Sequence, residues 1–284
     1  MHGELTYLGI IKFFNRTFTT AILLNSPLTK LFMKNPICIS TGCFYHLTED
    51  RNEAIKLART FPVDGVEISF QSPEYLRGFF PAQDNLDYLQ DPKNRVSIHA
   101  PWKNITYDNG VNCLGVLDLL QDLSHKVKAQ NITFHQTPND DLRITADYKF
   151  LSSIENDEIS KGLEGITSLQ LMDKALKRNP HMKITLDIAH ALTISPEEAV
   201  TYIVRFKNKI TQAHVSYLNK HMIESKEDHG FLHQNKSGRL SAVLGIIPQQ
   251  VPLVLECVVQ DKSELPLIKE EIEYLRKSRN TRFL

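Results

Sequence analysis

The sequence predicts an α/β fold, a single-domain (β/α)8 TIM barrel preceded by an N-terminal extension. Three observations carry that expectation. From Ile37 onward, short apolar runs of strand type alternate eight times with helical patterns, as parallel strands joined by crossover helices do. The 284-residue length suits one barrel, since these run to roughly 250 residues. The apolar runs also tend to end in His, Asp or Glu, at the edge where barrels build their sites. A doubly wound open sheet is the alternative, but no G-x-G-x-x-G follows any strand, so no nucleotide cofactor is expected.

Taken in order, Ile37–Ser40 reads as the first strand, and Glu49–Thr60 has helical spacing through Ala54, Ile55, Leu57 and Ala58. Gly65–Phe70 is the second strand. Tyr75–Leu89 is a helical region broken around Pro81. Arg95–His99 is the third strand, stopped by Ala100-Pro101. Val111–Ala129 is an amphipathic helix with Leu114, Leu117, Leu120 and Val127 on or near one face. Asn131–His135 and Phe150–Glu155 are the fourth and fifth strands; the 19 residues between His135 and Glu155 leave room for about three helical turns at most. A helix over Leu163–Arg178 leads to the sixth strand, Lys183–His190, apolar at Ile184, Leu186 and Ile188. Ser195-Pro196-Glu197-Glu198 then supplies a capping serine, a first-turn proline and acids at a helix start. Lys209–Val215 and Pro252–Glu256 complete the strands, and a helix over Ser263–Ser278 closes the chain.

Residues 1–36 stand outside this pattern, with Glu4 the one acid and apolar runs interrupted at Lys12, Asn15, Arg16 and Asn25. We expect a flexible extension or a start codon set too early, with Met33 the working start; residues 37–284 are the expected catalytic domain. No run here approaches the roughly 20 residues that span a bilayer, and no cleavable leader is recognisable, so no membrane association is expected. Lys+Arg and Asp+Glu each number 33, which gives no global field for nucleic acid, though a local basic groove stays open. Cys38, Cys43, Cys113 and Cys257 form no C-x-x-C pair, and a reduced, cytoplasmic setting is expected.

The chemistry lies at the strand ends. Glu67 falls near the end of the second strand, His99 and His135 end the third and fourth, and Glu155 ends the fifth. Asp187 with His190, then His214, then Glu256 follow on the sixth to eighth. In a closed barrel these ends share one face. Carboxylates crowded there repel one another, and divalent cations remove the conflict. Asp, Glu and neutral His are ligands for zinc and its neighbours, and the number of donors suggests two or three ions, with Glu155 as a possible bridge. The loop after the seventh strand adds Glu227, Asp228, His229 and His233, of which Glu227 and His229 are spaced to clip one more ion; a solvated polar loop is the alternative.

With these residues assembled, the chain resembles the xylose-isomerase-like TIM-barrel superfamily, and within it the endonuclease IV branch (AP endonuclease family 2). Ile98-His-Ala-Pro-Trp102, Thr133-Phe-His135, Ser153-Ile-Glu-Asn156, Leu186-Asp-Ile-Ala-His190, Gln212-Ala-His214, Glu227-Asp-His229 and Leu253-Val-Leu-Glu256 carry the resemblance. It implies three zinc ions, held by His99, His135 and Glu155; by Glu155, Asp187, His214 and Glu256; and by His190, His229 and either Glu227 or Asp228. It further implies cleavage of DNA on the 5′ side of abasic sites, a DNA-repair hydrolase, with Trp102 at an aromatic DNA contact. The sugar isomerases and epimerases of the superfamily are the rival. They use a set like Glu155, Asp187, His214 and Glu256 with one manganese or magnesium, the two glutamates acting on the proton at a carbon of a small sugar. Glu67 and Lys220 are expected at the substrate. Gly230-Phe-Leu-His-Gln234 replaces the glycine-rich stretch of the endonucleases, and Arg77 and Lys103 are candidate phosphate contacts.

Overall fold

A computed structural model of the chain describes residues 35–137, 139–157, 168–225, 228–234 and 239–278. Residues 1–34, most of the expected extension, lie outside them. Eight parallel strands close into a barrel in sequence order: β1 Ile37–Ser40, β2 Gly65–Ser69, β3 Arg95–His99, β4 Asn131–Phe134, β5 Ser152–Glu155, β6 Lys183–Asp187, β7 Ile210–Val215 and β8 Leu253–Leu255. Closure is made by β1 pairing with β8, Ile39 opposite Leu255. The barrel begins slightly before the expected boundary: Asn35 is buried, and its amide donates to the carbonyls of Pro248 and Val251.

The helices outside the strands are α1 Arg51–Arg59, α2 Pro73–Arg77, α3 Gln83–Gln90, α4 Val111–Val127, α5 Leu169–Arg178, α6 Ile188–Ile194, α7 Pro196–Phe206, α8 Lys220–Ser225, α9 Arg239–Ile246 and α10 Leu265–Ser278. Local chemistry sets several of their ends. Asp50 caps α1 through Asn52 N, and Ser195 caps α7 through Glu198 N, each satisfying an orphan first-turn amide. Gly65 opens β2 because a Cβ there would lie 2.1 Å from the carbonyl oxygen of Arg95 on β3.

One expectation changes. The run Lys183–His190 is not all strand: it stops at Asp187, whose side chain accepts from His190 N at 2.7 Å and so starts α6. The capping bond satisfies an orphan donor and turns the alanine-rich Ile188–Ile194 into helix. Between β4 and β5 the described residues carry a short 3-10 helix, Leu142–Asp147, within the room for about three helical turns that the spacing allows. The break expected at Pro81 does separate α2 from α3.

The strands present two different faces. Val66, Ile68, Ile132, Phe134, Ile184 and Leu186 are buried in the apolar core. Their alternates point into the lumen, which is polar. Asn131 Nδ2 donates to Ser153 Oγ at 2.8 Å, and Thr185 Oγ1 lies 2.8 Å from Thr133 Oγ1 and 2.6 Å from Ser153 Oγ. Gln212 links this network upward, its amide reaching Thr133 Oγ1 at 2.9 Å and Glu67 Oε2 at 2.7 Å. All four cysteines are buried and free. No helix among the described residues is long and apolar enough to cross a membrane.

Candidate metal centre

At the carboxyl ends of the strands the polar lumen opens into a cluster of imidazoles and carboxylates. Glu155, 3% exposed at the end of β5, is its hub. Its Oε2 lies 3.0 Å from His99 Nε2 and 3.1 Å from His135 Nε2, and its Oε1 lies 2.7 Å from His214 Nδ1. Glu256, following β8, brings Oε2 to 3.1 Å from the same His214 Nδ1. His99 closes β3; His135 stands one residue beyond β4.

Three of the imidazoles have their inactive side tied down. His99 Nδ1 faces the carbonyl of Ala100 at 3.0 Å, and His190 Nδ1 the carbonyl of Asn156 at 2.9 Å. Each carbonyl can only accept, so Nδ1 donates and Nε2 is left with its lone pair toward the mouth. His229 Nδ1 meets Ser216 Oγ at 2.9 Å. Asn156 brackets the end of β6, donating to Asp187 O and accepting from Asp187 N, both at 2.8 Å.

The electrostatics of this mouth are those of a tightly coupled cluster. Burial alone would raise the pKa of Glu155, but His214 and His135 outweigh it and hold the carboxylate well below its ordinary range. Burial works against the charged forms of His135 and His214. Glu155 with Asp157 nevertheless raises the first, and Glu155, Glu256 and Glu67 raise the second. Asp187 is raised by burial. His229 is pushed down to about 4 by burial and then by His190, so its neutral, metal-ligating form prevails at neutral pH.

These groups fit divalent metal. Within each of four sets, one ligand atom per residue lies within 4.8 Å of the others: His99, His135 and Glu155; Glu155, Asp187, His214 and Glu256; Asp187, His190 and His229; and His99, His214 and Glu256. Asp187 Oδ2 is buried with no hydrogen-bond partner. A buried orphan carboxylate oxygen is costly, and a cation is a fitting partner for it. Nitrogen and carboxylate donors in this mixture suit zinc.

The structure brings together His99, His135, Glu155, Asp187, His190, His214, His229 and Glu256. It departs from expectation elsewhere. Asp187 reaches the His190 and His229 group as well as the Glu155 group, where sequence assigned it to one ion. Asp228 turns away from His229 and bonds Tyr45 Oη, His46 Nε2 at 2.9 Å and Gln260 Nε2 at 3.1 Å. Glu227 lies outside the described residues, and of Lys220 only the backbone, at the start of α8, is described. Glu67 is 0% exposed and lies beneath His214, so it is not placed to touch a substrate. Trp102 is half-buried beside the metal residues, its ring 4.8 Å from that of His99 and stacked at 5.8 Å on that of His135. Lys103 is exposed on the adjoining loop, while Arg77 pairs with Glu74 and Asn112. Sequence reasoning missed the roles of Gln212, Asn156 and Ser216. Asn156 follows candidate ligand Glu155 and Gln212 lies two residues before candidate ligand His214, which is the one signal that marks them.

No family profile matches the chain, and no curated protein matches it in sequence. Solved structures match it in fold. Endonuclease IV from Thermus thermophilus aligns with a TM-score of 0.60 at 14% identity, over 86% of this chain and 98% of that one. D-allulose 3-epimerase from Methylomonas sp. aligns at 0.62 and 13% identity, over 87% and 98%. A sugar phosphate isomerase/epimerase from Parabacteroides distasonis aligns at 0.57 and 12% identity, over 90% and 96%. The chain therefore shares the TIM-barrel fold of these solved structures, an endonuclease, an epimerase and a sugar phosphate isomerase/epimerase among them.

Proposed function

We propose that this protein is a metal-dependent phosphodiester hydrolase, of the endonuclease IV kind, that cuts DNA 5′ to abasic sites in repair. The observation that carries the reading is the histidine-rich extension of the cluster. His99, His135, His190 and His229 join the Glu155, Asp187, His214 and Glu256 group, and one ion cannot use all these donors. His99, His135 and Glu155 would hold one zinc, and Glu155, Asp187, His214 and Glu256 a second. His190 and His229, with Asp187 or Glu227, would hold a third. When bound, such ions supply Lewis acidity that lowers the pKa of water and stabilises the leaving oxygen.

The chain's own groups do the rest. The carbonyls behind His99 and His190 fix those rings against rotation. Trp102 supplies a partly exposed aromatic surface beside His99 and His135, on which an extruded sugar or base can stack. Lys103 is the neighbouring cation for a phosphate. The test is a duplex carrying one abasic site, incubated with the zinc-loaded protein. A single cut on the 5′ side is expected; an intact duplex in the presence of bound zinc rejects the assignment.

A second reading has its own observation. Glu155, Asp187, His214 and Glu256 form a complete set by themselves, with two glutamates on one imidazole nitrogen. That is the inventory of a sugar isomerase or epimerase using one manganese or magnesium. Metal analysis separates the two: two or three zinc per chain favours the hydrolase, one exchangeable manganese or magnesium the isomerase.

A further inference from the structure

Glu67 is a fully buried carboxylate in the middle of β2, with no part in the four candidate ligand sets. Its Oε2 accepts from Gln212 Nε2 at 2.7 Å and from Ser97 Oγ at 3.1 Å, and lies 3.2 Å from His214 Nε2. Its Oε1 has no partner. A carboxylate kept in the lumen of a barrel is expensive unless it serves a charged or strongly donating neighbour.

The neighbour is His214, and its orientation is the reverse of its companions. His99 and His190 turn Nδ1 to a backbone carbonyl and Nε2 to the mouth. His214 turns Nδ1 to the mouth, between Glu155 and Glu256, and Nε2 down into the barrel. Among the described residues no carbonyl is bonded to that lower nitrogen; Glu67 is. Gln212 Nε2 also lies 3.0 Å from His214 Nε2, but its two amide hydrogens go to Glu67 Oε2 and Thr133 Oγ1. Flipping the amide would set its oxygen against the carboxylate. His214 Nε2 must therefore carry its own hydrogen and give it to Glu67.

We propose that Glu67 is a positioning residue. Held by Ser97 and Gln212, it fixes His214 as the Nε2–H tautomer, with the Nδ1 lone pair aimed at the ion shared by Glu155, Asp187 and Glu256. This rests on the metal-binding part of the proposed function and not on its substrate. Removing such a partner typically weakens metal binding about 10- to 100-fold.

The experiment uses the full chain with zinc alone as the probe, titrated against a chromophoric chelator, together with 15N spectra of the histidine rings. Glu67→Ala should weaken one zinc equivalent about 10- to 100-fold. Glu67→Gln, whose amide oxygen can still accept from Nε2–H, should lose less but measurably. In the zinc-loaded wild type, His214 should show a protonated Nε2 and a zinc-shifted Nδ1. Unchanged zinc affinity in both variants overturns the proposal, as does zinc on Nε2 or a wild type that binds no divalent ion. Should the alanine variant fail to fold, the glutamine variant and the ring spectra decide alone. A protein that shows all the expected zinc behaviour yet leaves abasic DNA intact rejects the hydrolase reading and keeps this role for Glu67.

Discussion

On β2, Val66 and Ile68 lie in the apolar core while Glu67 between them faces the lumen. On β4, Ile132 and Phe134 alternate with Asn131 and Thr133 in the same way. Barrel interiors of this class are commonly filled by branched apolar side chains. Here the outward face supplies the apolar packing, and the lumen carries hydrogen bonds that end on metal-type residues. Stability and site geometry are thus assigned to opposite faces of the same strands. A register slip of one residue would exchange the two sets.

The sharpest way to break that division is at its upper end. On the proposed reading, Glu155→Gln should lower turnover about 1000-fold, since several kcal/mol of charge stabilisation would depend on the ions it joins. Zinc content should fall with it while the circular dichroism of the barrel stays. A variant that keeps its zinc and its rate would remove Glu155 from the centre of the site.

Phe134→Ala tests the other face. It should cost about 3–5 kcal/mol in chemical denaturation, the usual loss for a buried aromatic. The zinc stoichiometry of the folded fraction should not change. If metal binding collapses in step with stability, the two faces are not separable.

Thr185→Val strikes the middle of the lumen, where the hydroxyl meets those of Thr133 and Ser153. Loss of one partner in a buried network should cost about 1–3 kcal/mol. A neutral or stabilising result would show the lumen to be polar without needing its bonds.

The smallest effect is the pH response of the chelated protein. The raised His135 and His214 stabilise fully below the ordinary histidine value of 6.5, and that contribution is lost as the pH rises through their folded values. The lowered Glu155 contributes above its ordinary 4.5 and loses that only as pH falls through its depressed value. These three groups therefore stabilise the metal-free fold most between 4.5 and 6.5, while His229, lowered to about 4, opposes them below 6.5 and not above it. Denaturation midpoints should decline above that window, and added zinc, which needs neutral imidazoles, should gain affinity there.

Much of this was legible in the chain. β3 could be read to the residue, because Arg95–His99 alternates and then meets Ala100-Pro101. Ser195-Pro196 marked the start of α7 because capping is local chemistry. The strand ends rich in His, Asp and Glu pointed to one mouth because a closed parallel barrel collects them there. The rest depends on neighbours remote in sequence. His190 looked like strand because Ile184, Leu186 and Ile188 before it are apolar and β-prone, and only the capping bond from Asp187 decides for helix. Glu67 was expected at the substrate; its place in the lumen shows only with its partner on β7, Gln212. Asp228 looked like a ligand by adjacency, yet Tyr45, His46 and Gln260 hold it instead.

The loop that carries His229 is fastened differently from the other ligands. It is tied by the Tyr217 and Gly230 bridge, by Val258 N on His229 O, and by Asp228 on Tyr45, His46 and Gln260. None of these ties belongs to the barrel ladder. The loop's fastenings are therefore separate from the strands that hold Glu155, Asp187, His214 and Glu256. Unfastening the loop would withdraw one candidate ligand, His229, from the group that Asp187 and His190 complete. On the proposed reading, the number of ions the mouth can hold would then be set by one clasp.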